Sequence, residues 1–269
     1  VFGVTESSPF DLNFRMLSAP VRITGWFWLI SLMIGGQHDP LMAAIWVGSV
    51  LVSILVHEFG HGLMARRFGH NFQVTLHGMG GVCTYDSEHD TTGQRLAVLA
   101  AGPFAQLLFL VLICIVFGGW LGLTASSNLG FAQLLLGIDP DNSSAGNLMM
   151  AMRRHPTAFK VYESLFQINL LWPLLNLLPI WPLDGGQIAC ESLAHLNPRD
   201  GRRRGHILSL LTSGLFIIYI LFQSQGQPTN DTFFRILWFG FFGYLNYQVL
   251  HAYQSRYTAY GPDNDGDWR

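Results

Sequence analysis

A series of apolar stretches, nearly free of charge and long enough to cross a bilayer, constrains this chain more than any other feature. Only 12 % of its residues are charged, against about 25 % in an ordinary soluble domain. Six helices follow from the pattern. They run from about Ile23 to Ile34 (the shortest), Leu41 to Arg66, Arg95 to Trp120, Thr157 to Leu178, His206 to Phe222 and Phe233 to His251. Between the second and third, Phe72–Leu76 and Val82–Tyr85 read as short strands, broken by Gly78, Gly80 and Gly81. The expected fold is therefore an all-α membrane protein. It is a six-transmembrane helical bundle with a small β-hairpin or sheet between helices two and three. Residues 1–252 form one polytopic domain and 253–269 a polar, flexible tail.

The basic residues orient this layout. With six spans, the N-terminus, the 66–95 loop, the 181–206 loop and the tail share one side, which carries eleven of the 15 Lys and Arg residues. The excess of positive charge marks that side as cytoplasmic, and a multi-pass protein of a prokaryotic inner membrane is expected. A net charge of −2 offers nothing to nucleic acid. Cys83, Cys114 and Cys190 are odd in number and lack paired spacing, so no disulfide framework or zinc ribbon is implied. The first twenty residues lack the basic start and apolar core of a cleavable signal.

Inside the second apolar stretch stands His57-Glu58-Phe59-Gly60-His61. Residues four apart share a helix face. His57 and His61 can therefore hold one zinc ion, with Glu58 beside them as general base. The bland alternative is a pair of buried histidines bonded to nearby carbonyls, but an intramembrane glutamate needs a purpose or a partner. A catalytic zinc takes three protein ligands and keeps one position open. The best third ligand is Asp184, in Asn176-Leu-Leu-Pro179-Ile-Trp-Pro182-Leu-Asp184-Gly185-Gly186. Pro179 and Pro182 forbid regular helix, and Gly185 and Gly186 permit unusual backbone angles, so an unwound segment is expected to turn the carboxylate towards the metal. A solvated turn aspartate is the alternative.

HEFGH on an apolar helix, followed by Asn176-x-x-Pro179-x-x-x-x-Asp184-Gly185, resembles the site-2 protease family of intramembrane zinc metalloproteases. The likeness runs from about Arg22 to Gln187. Val21-Arg22-Ile23, Gly80-Gly81-Val82 and Ala101-Gly102-Pro103 also match the family's habits. The resemblance implies one Zn2+ per chain, bound by His57, His61 and Asp184. It implies Glu58 as catalytic base and Asn176 as the residue that orients the scissile peptide. Gln106 stands where the family often carries a small residue or Asn, at a position implied to hold substrate. The loops are too short for an inserted PDZ or an appended CBS domain, so a compact form is expected.

The implied reaction is hydrolysis of peptide bonds within or near transmembrane segments of membrane proteins. The implied partners are a transmembrane substrate, membrane lipid and a regulatory membrane protein. Either strand could offer its edge to an extended substrate, or the hairpin could plug the protein's face. A silent scaffold or a metal transporter using the same site is the non-enzymatic alternative, and a zinc hydrolase of lipids or small amides the enzymatic one. His70, His77 and His89 cluster near the hairpin and would be solvated residues or a second metal site.

Overall fold

The computed structural model describes residues 8–35, 39–224 and 229–260. Of the polar tail expected over 253–269, residues 253–260 are helical and the remainder lies outside the described residues. By packing, the chain forms two compact units. One comprises Val1–His89 and Ala101–Leu174, the other Asp90–Ala100 and Leu175–Arg269.

The first unit contains a four-stranded sheet in the order β1 (Leu12–Met16), β2 (Ala19–Ile23), β3 (Phe72–His77) and β4 (Gly80–Tyr85). The β3–β4 hairpin is the one expected from the sequence. The β1–β2 hairpin is an addition, and it corrects the reading of Ile23 as the start of a helix. Its turn residues Leu17 and Ser18 adopt φ of 49° and 66°, which glycine or asparagine usually supplies. Arg66, near the end of the helix Pro40–Arg67, donates to the Leu17 carbonyl oxygen at 2.8 Å and so ties the turn to that helix. β2 pairs parallel to β3, with Val21 opposite Val74 and Ile23 opposite Leu76.

Against the sheet pack α1 (Gly25–Gly35) and α2 (Pro40–Arg67). Asp39 starts α2 by accepting from the amides of Leu41 (2.7 Å) and Met42 (3.2 Å), with Pro40 at the first helical position. Val21, Ile23, Phe27, Ile54, Phe59, Phe72, Val74 and Leu76 form the shared core. Gly62 carries no Cβ because one would overlap the Phe72 ring, and this brings β3 against α2 one residue after His61.

The stretch expected as a loop after the third helix is largely helical. α3 (Thr92–Leu121) is followed by α4 (Ala125–Leu135) and α5 (Asn142–Arg154), then α6 (Pro156–Asn176). A Thr124–Ser127 capping box opens α4, and Asp141 caps α5. Phe131, Leu148, Phe159, Tyr162 and Phe166 pack with Ile113 of α3 into a second core of the first unit.

The second unit is built from α7 (Asp184–Leu196), α8 (Gly201–Gln223) and α9 (Asn230–Tyr260) around Ile180, Ile220, Phe239 and Phe242. Among the described residues three helices, α2, α3 and α8, are long and apolar enough to cross a membrane, and α1 is a shorter apolar helix. At most 33 % of the most apolar stretch of any of the three is buried. Side chains such as Leu108, Leu112 and Ile115 of α3 stay exposed, the pattern of a surface solvated by lipid. By the same measure of length and hydropathy, α6 and α9 do not qualify as spans.

Candidate active site

His57, Glu58 and His61 occupy one turn of α2 and are all buried. The two Nε2 atoms lie 3.1 Å apart, with the rings at 79° to each other. Two imidazoles on one tetrahedral zinc, with bonds of about 2.0–2.1 Å, would hold their nitrogens about 3.3 Å apart, so the pair needs almost no adjustment to share an ion.

The other nitrogen of His57 has a partner. Nδ1 lies 3.1 Å from Oε1 of Gln106, which is fully buried on α3. The amide oxygen can only accept, so the proton sits on Nδ1 and the Nε2 lone pair is left for a ligand. Gln106 thus bonds to His57, a different contact from the substrate-holding one that the resemblance implied.

Two glycines set the walls of this turn. A Cβ at Gly102 of α3 would collide with Nε2 of His61, and one at Gly81 of β4 would overlap Oε1 of Glu58. The Gly80-Gly81-Val82 and Ala101-Gly102-Pro103 matches therefore have a steric reason. Gly60 serves the same approach, since a Cβ there would press on the Ala101 carbonyl and Gly102. Beside Glu58 on β4, burial pushes the Cys83 thiol up to about 12 and the Glu58 charge adds to the shift. Cys83 is therefore a neutral thiol at pH 7, and no thiolate competes at this place.

Asp184 is buried and is the first residue of α7. The unwound segment expected from Pro179 and Pro182 is present over residues 177–183, but it ends one residue before Asp184. Leu183 N–H donates to the Ile180 carbonyl at 2.8 Å, and Ile180 N–H to that of Leu178 at 2.7 Å. Gly185 and Gly186 have helical backbones, so their role is space rather than unusual angles. A Cβ at 185 would strike the Leu177 and Leu178 carbonyls, and one at 186 the Ile180–Trp181 peptide. Asp184 also places a carboxylate at the positive end of the helix dipole. With His57 and His61, Asp184 completes the set of ligand types expected from the sequence. Two imidazoles and one carboxylate are a donor set that suits a catalytic zinc with one open position.

Asn176 ends α6, half-buried, and its side-chain amide makes no intramolecular hydrogen bond among the described residues. His70 packs beside the Tyr85 ring, and His77 accepts from the Met79 amide at 3.2 Å. No second group of metal-ligating residues occurs among the described residues.

The sequence reading missed a polar file on α2. Ser49, Ser53, His57 and His61 recur every fourth residue, all buried. Ser53 Oγ accepts from Asn169 Nδ2 of α6 at 2.7 Å, and the same nitrogen donates to the Leu165 carbonyl. The four-residue spacing of serines ahead of His57 is the signal that could have shown it.

Residues 45–221 match peptidase family M50. A stretch of 140 residues is 31 % identical to "Putative zinc metalloprotease sll0528" of Synechocystis sp., covering 52 % of this chain and 28 % of that protein. A stretch of 169 residues is 30 % identical to "Putative zinc metalloprotease Rip3" of Mycobacterium tuberculosis, covering 60 % and 36 %. The matched stretches thus amount to about a third of each of these longer relatives. Zinc is the metal their names give, and the donor set of His57, His61 and Asp184 fits it. Its match begins inside α2, takes in the histidine pair and Asp184 and ends in α8, and on that extent the chain belongs to peptidase family M50.

Proposed function

We propose that this protein is an intramembrane zinc metalloprotease that hydrolyses peptide bonds within or near transmembrane segments of other membrane proteins. The observation that carries the reading is the buried turn of α2, where two converging imidazoles and a carboxylate stand inside an apolar helix. Such groups are costly in a membrane unless they do chemistry.

His57, His61 and Asp184 would hold one zinc ion per chain. When bound, zinc supplies the Lewis acidity that polarises the scissile carbonyl and acidifies the attacking water. Glu58 is the base: a carboxylate oxygen accepts the water proton and later returns it to the leaving amine. Asn176 has an uncommitted amide and donates to the oxyanion as it develops. Gln106 keeps the His57 proton on Nδ1 throughout.

Substrate is presented along β4. In the sheet order β3 lies between β2 and β4, so its edges are taken, whereas among the described residues β4 pairs with β3 alone. This removes Phe72–Leu76 as a docking edge and leaves Val82–Tyr85. An extended substrate added to β4 runs past Gly81, whose missing side chain leaves Glu58 accessible to the backbone being cut. A transmembrane helix must therefore unwind locally before cleavage. The protein crosses the membrane more than once. Arg66 and Arg67, one turn beyond His61, mark the cytoplasmic end of α2.

The test is cleavage-site mapping by mass spectrometry on a membrane-protein panel reconstituted with the enzyme. Cuts inside or beside apolar segments, absent with Glu58→Gln, are expected. Cuts confined to soluble unstructured peptides, or equal cutting by the variant, would overturn the reading.

A further inference from the structure

The second unit contains a buried polar cluster that no sequence motif announces. Its centre is Asn246 of α9, fully buried and with its whole amide committed. Nδ2 donates to the Trp181 carbonyl at 2.7 Å and to the Phe242 carbonyl at 2.8 Å. Two carbonyl neighbours require the NH2 group on that side, which fixes the amide's orientation without reference to its third contact. Oδ1 then accepts from Nδ1–H of His206 at 2.8 Å. The His206 ring also packs edge-on against Trp181, with centroids 5.5 Å apart.

The other end of the same residue is held as firmly. The Trp181 N–H donates to Oγ of the fully buried Ser209 on α8 at 3.0 Å, and that hydroxyl donates in turn to the Gly205 carbonyl at 2.9 Å. Trp181 is thus gripped at its N–H by α8 and at its C=O by α9. Both grips act on the turn that opens α7. Pro182 follows and has no N–H, Leu183 N–H closes back on Ile180, and Asp184 is next. Nothing else in this turn offers a side-chain hydrogen bond to Trp181 among the described residues.

We infer that Asn246 and Ser209 are positioning residues that clamp the Trp181 peptide and so fix where the Asp184 carboxylate stands. The inference rests on the reading of Asp184 as a zinc ligand. Asn246 lies beyond the 45–221 stretch that matches the family, whereas Trp181 and Ser209 lie within it. The clamp gives a role to the fully buried asparagine of α9 and to Ser209, which lies one turn after His206 on α8. Leu183, at the N-cap position of α7, provides no side-chain hydrogen bond to the helix start. The two neighbouring helices restrain the turn through Trp181. This restraint acts on metal retention by holding the ligand in place, as hydrogen bonds behind other metal ligands do.

The experiment measures zinc release to excess chelator from the detergent-purified chain, with thermal unfolding recorded alongside. The variants are Asn246→Leu, Ser209→Ala, Ser213→Ala and Asp184→Asn. Ser213 is the control: it is buried on the same helix, but its hydroxyl donates only to the Ser209 carbonyl. Asn246→Leu is expected to release zinc about tenfold faster, and Ser209→Ala severalfold faster, while Ser213→Ala stays at the wild-type rate. If Asn246→Leu does not fold, Ser209→Ala, which removes one oxygen, decides alone. Wild-type release rates in both clamp variants, with zinc lost from Asp184→Asn, would overturn the clamp and leave the ligand reading intact. An equal acceleration in Ser213→Ala would reduce the cluster to general packing and also overturn it. Wild-type zinc retention in Asp184→Asn would instead remove the ligand reading on which the clamp depends.

Discussion

Replacing Gln106 by leucine should separate metal affinity from fold stability. Wild-type Gln106 accepts from His57 Nδ1 at 3.1 Å, while its own Nε2 is buried without a hydrogen-bond partner among the described residues. Leucine has similar volume and removes both polar atoms. It therefore orphans one donor on His57 and abolishes another on Gln106. Each buried orphan costs about 1–3 kcal/mol, so the two changes offset and the zinc-free protein should keep its melting temperature within a few degrees. Zinc binding has no such compensation. Without the amide acceptor, the His57 proton can move to Nε2 and donate to His61, 3.1 Å away, and this tautomer must be reversed before Nε2 can ligate. A penalty of about 1–3 kcal/mol is roughly a 5- to 150-fold loss of affinity, at 1.4 kcal/mol per factor of ten. Competition with a chromophoric chelator reads that loss directly. Gln106→Glu, which retains the acceptor, should restore tight binding. Unchanged zinc affinity in Gln106→Leu, or a melting temperature that falls in step with it, would refute the tautomer argument.

Other outcomes follow from the same geometry. Gly102→Ala should lose zinc because its methyl occupies the place of His61 Nε2, whereas Gly48→Ala, on α2 with open space around it, should retain metal and activity; zinc content of both settles this. Gly81→Ala should bind zinc normally but cleave poorly, read as a fall in kcat with unchanged metal content, because its methyl displaces the Glu58 carboxylate. Asp39→Ala should lower stability by about 1 kcal/mol by removing the α2 cap, measured by denaturation in detergent, with little change in zinc affinity. Hydrogen bonds from Ser143 and Ser144 hold the Asp141 carboxyl well below the usual carboxylate range. A lowered folded-state pKa gives stabilisation that is complete above the ordinary value of 3.8 and is lost as pH falls below it. Amide-exchange protection at the start of α5 should thus be flat from neutral pH to about pH 4 and drop at lower pH, and Asp141→Asn should remove that dependence.

Much of the fold could be read from local pattern. The second, third and fifth expected helices match α2, α3 and α8 to within about five residues at each end, because the length and continuity of an apolar stretch are local properties of the sequence. The β3–β4 hairpin was legible for the same reason. β1 and β2 were not. Their turn uses Leu17 and Ser18 at positive φ, and β2 is fixed by parallel pairing with β3 some fifty residues later. α7 was hidden because Pro182 and two glycines read as breakers, although Gly185 and Gly186 serve close packing at the helix start. Of the site, His57, Glu58 and His61 were visible through their spacing, and Asp184 through its motif. Gln106 was picked out through the resemblance alone, and for a contact other than the one to His57, while Asn169 and Asn246 were not visible, since a single buried amide in a helix has no spacing to give it away.

The most direct test of the central claim is zinc content and cleavage of a transmembrane peptide, measured together on wild type and Glu58→Gln. The account predicts about one zinc per chain in both, with cleavage in the wild type alone. Zinc-replete wild type that leaves every transmembrane segment uncut, or a Glu58→Gln protein that cuts as fast as wild type, would contradict it.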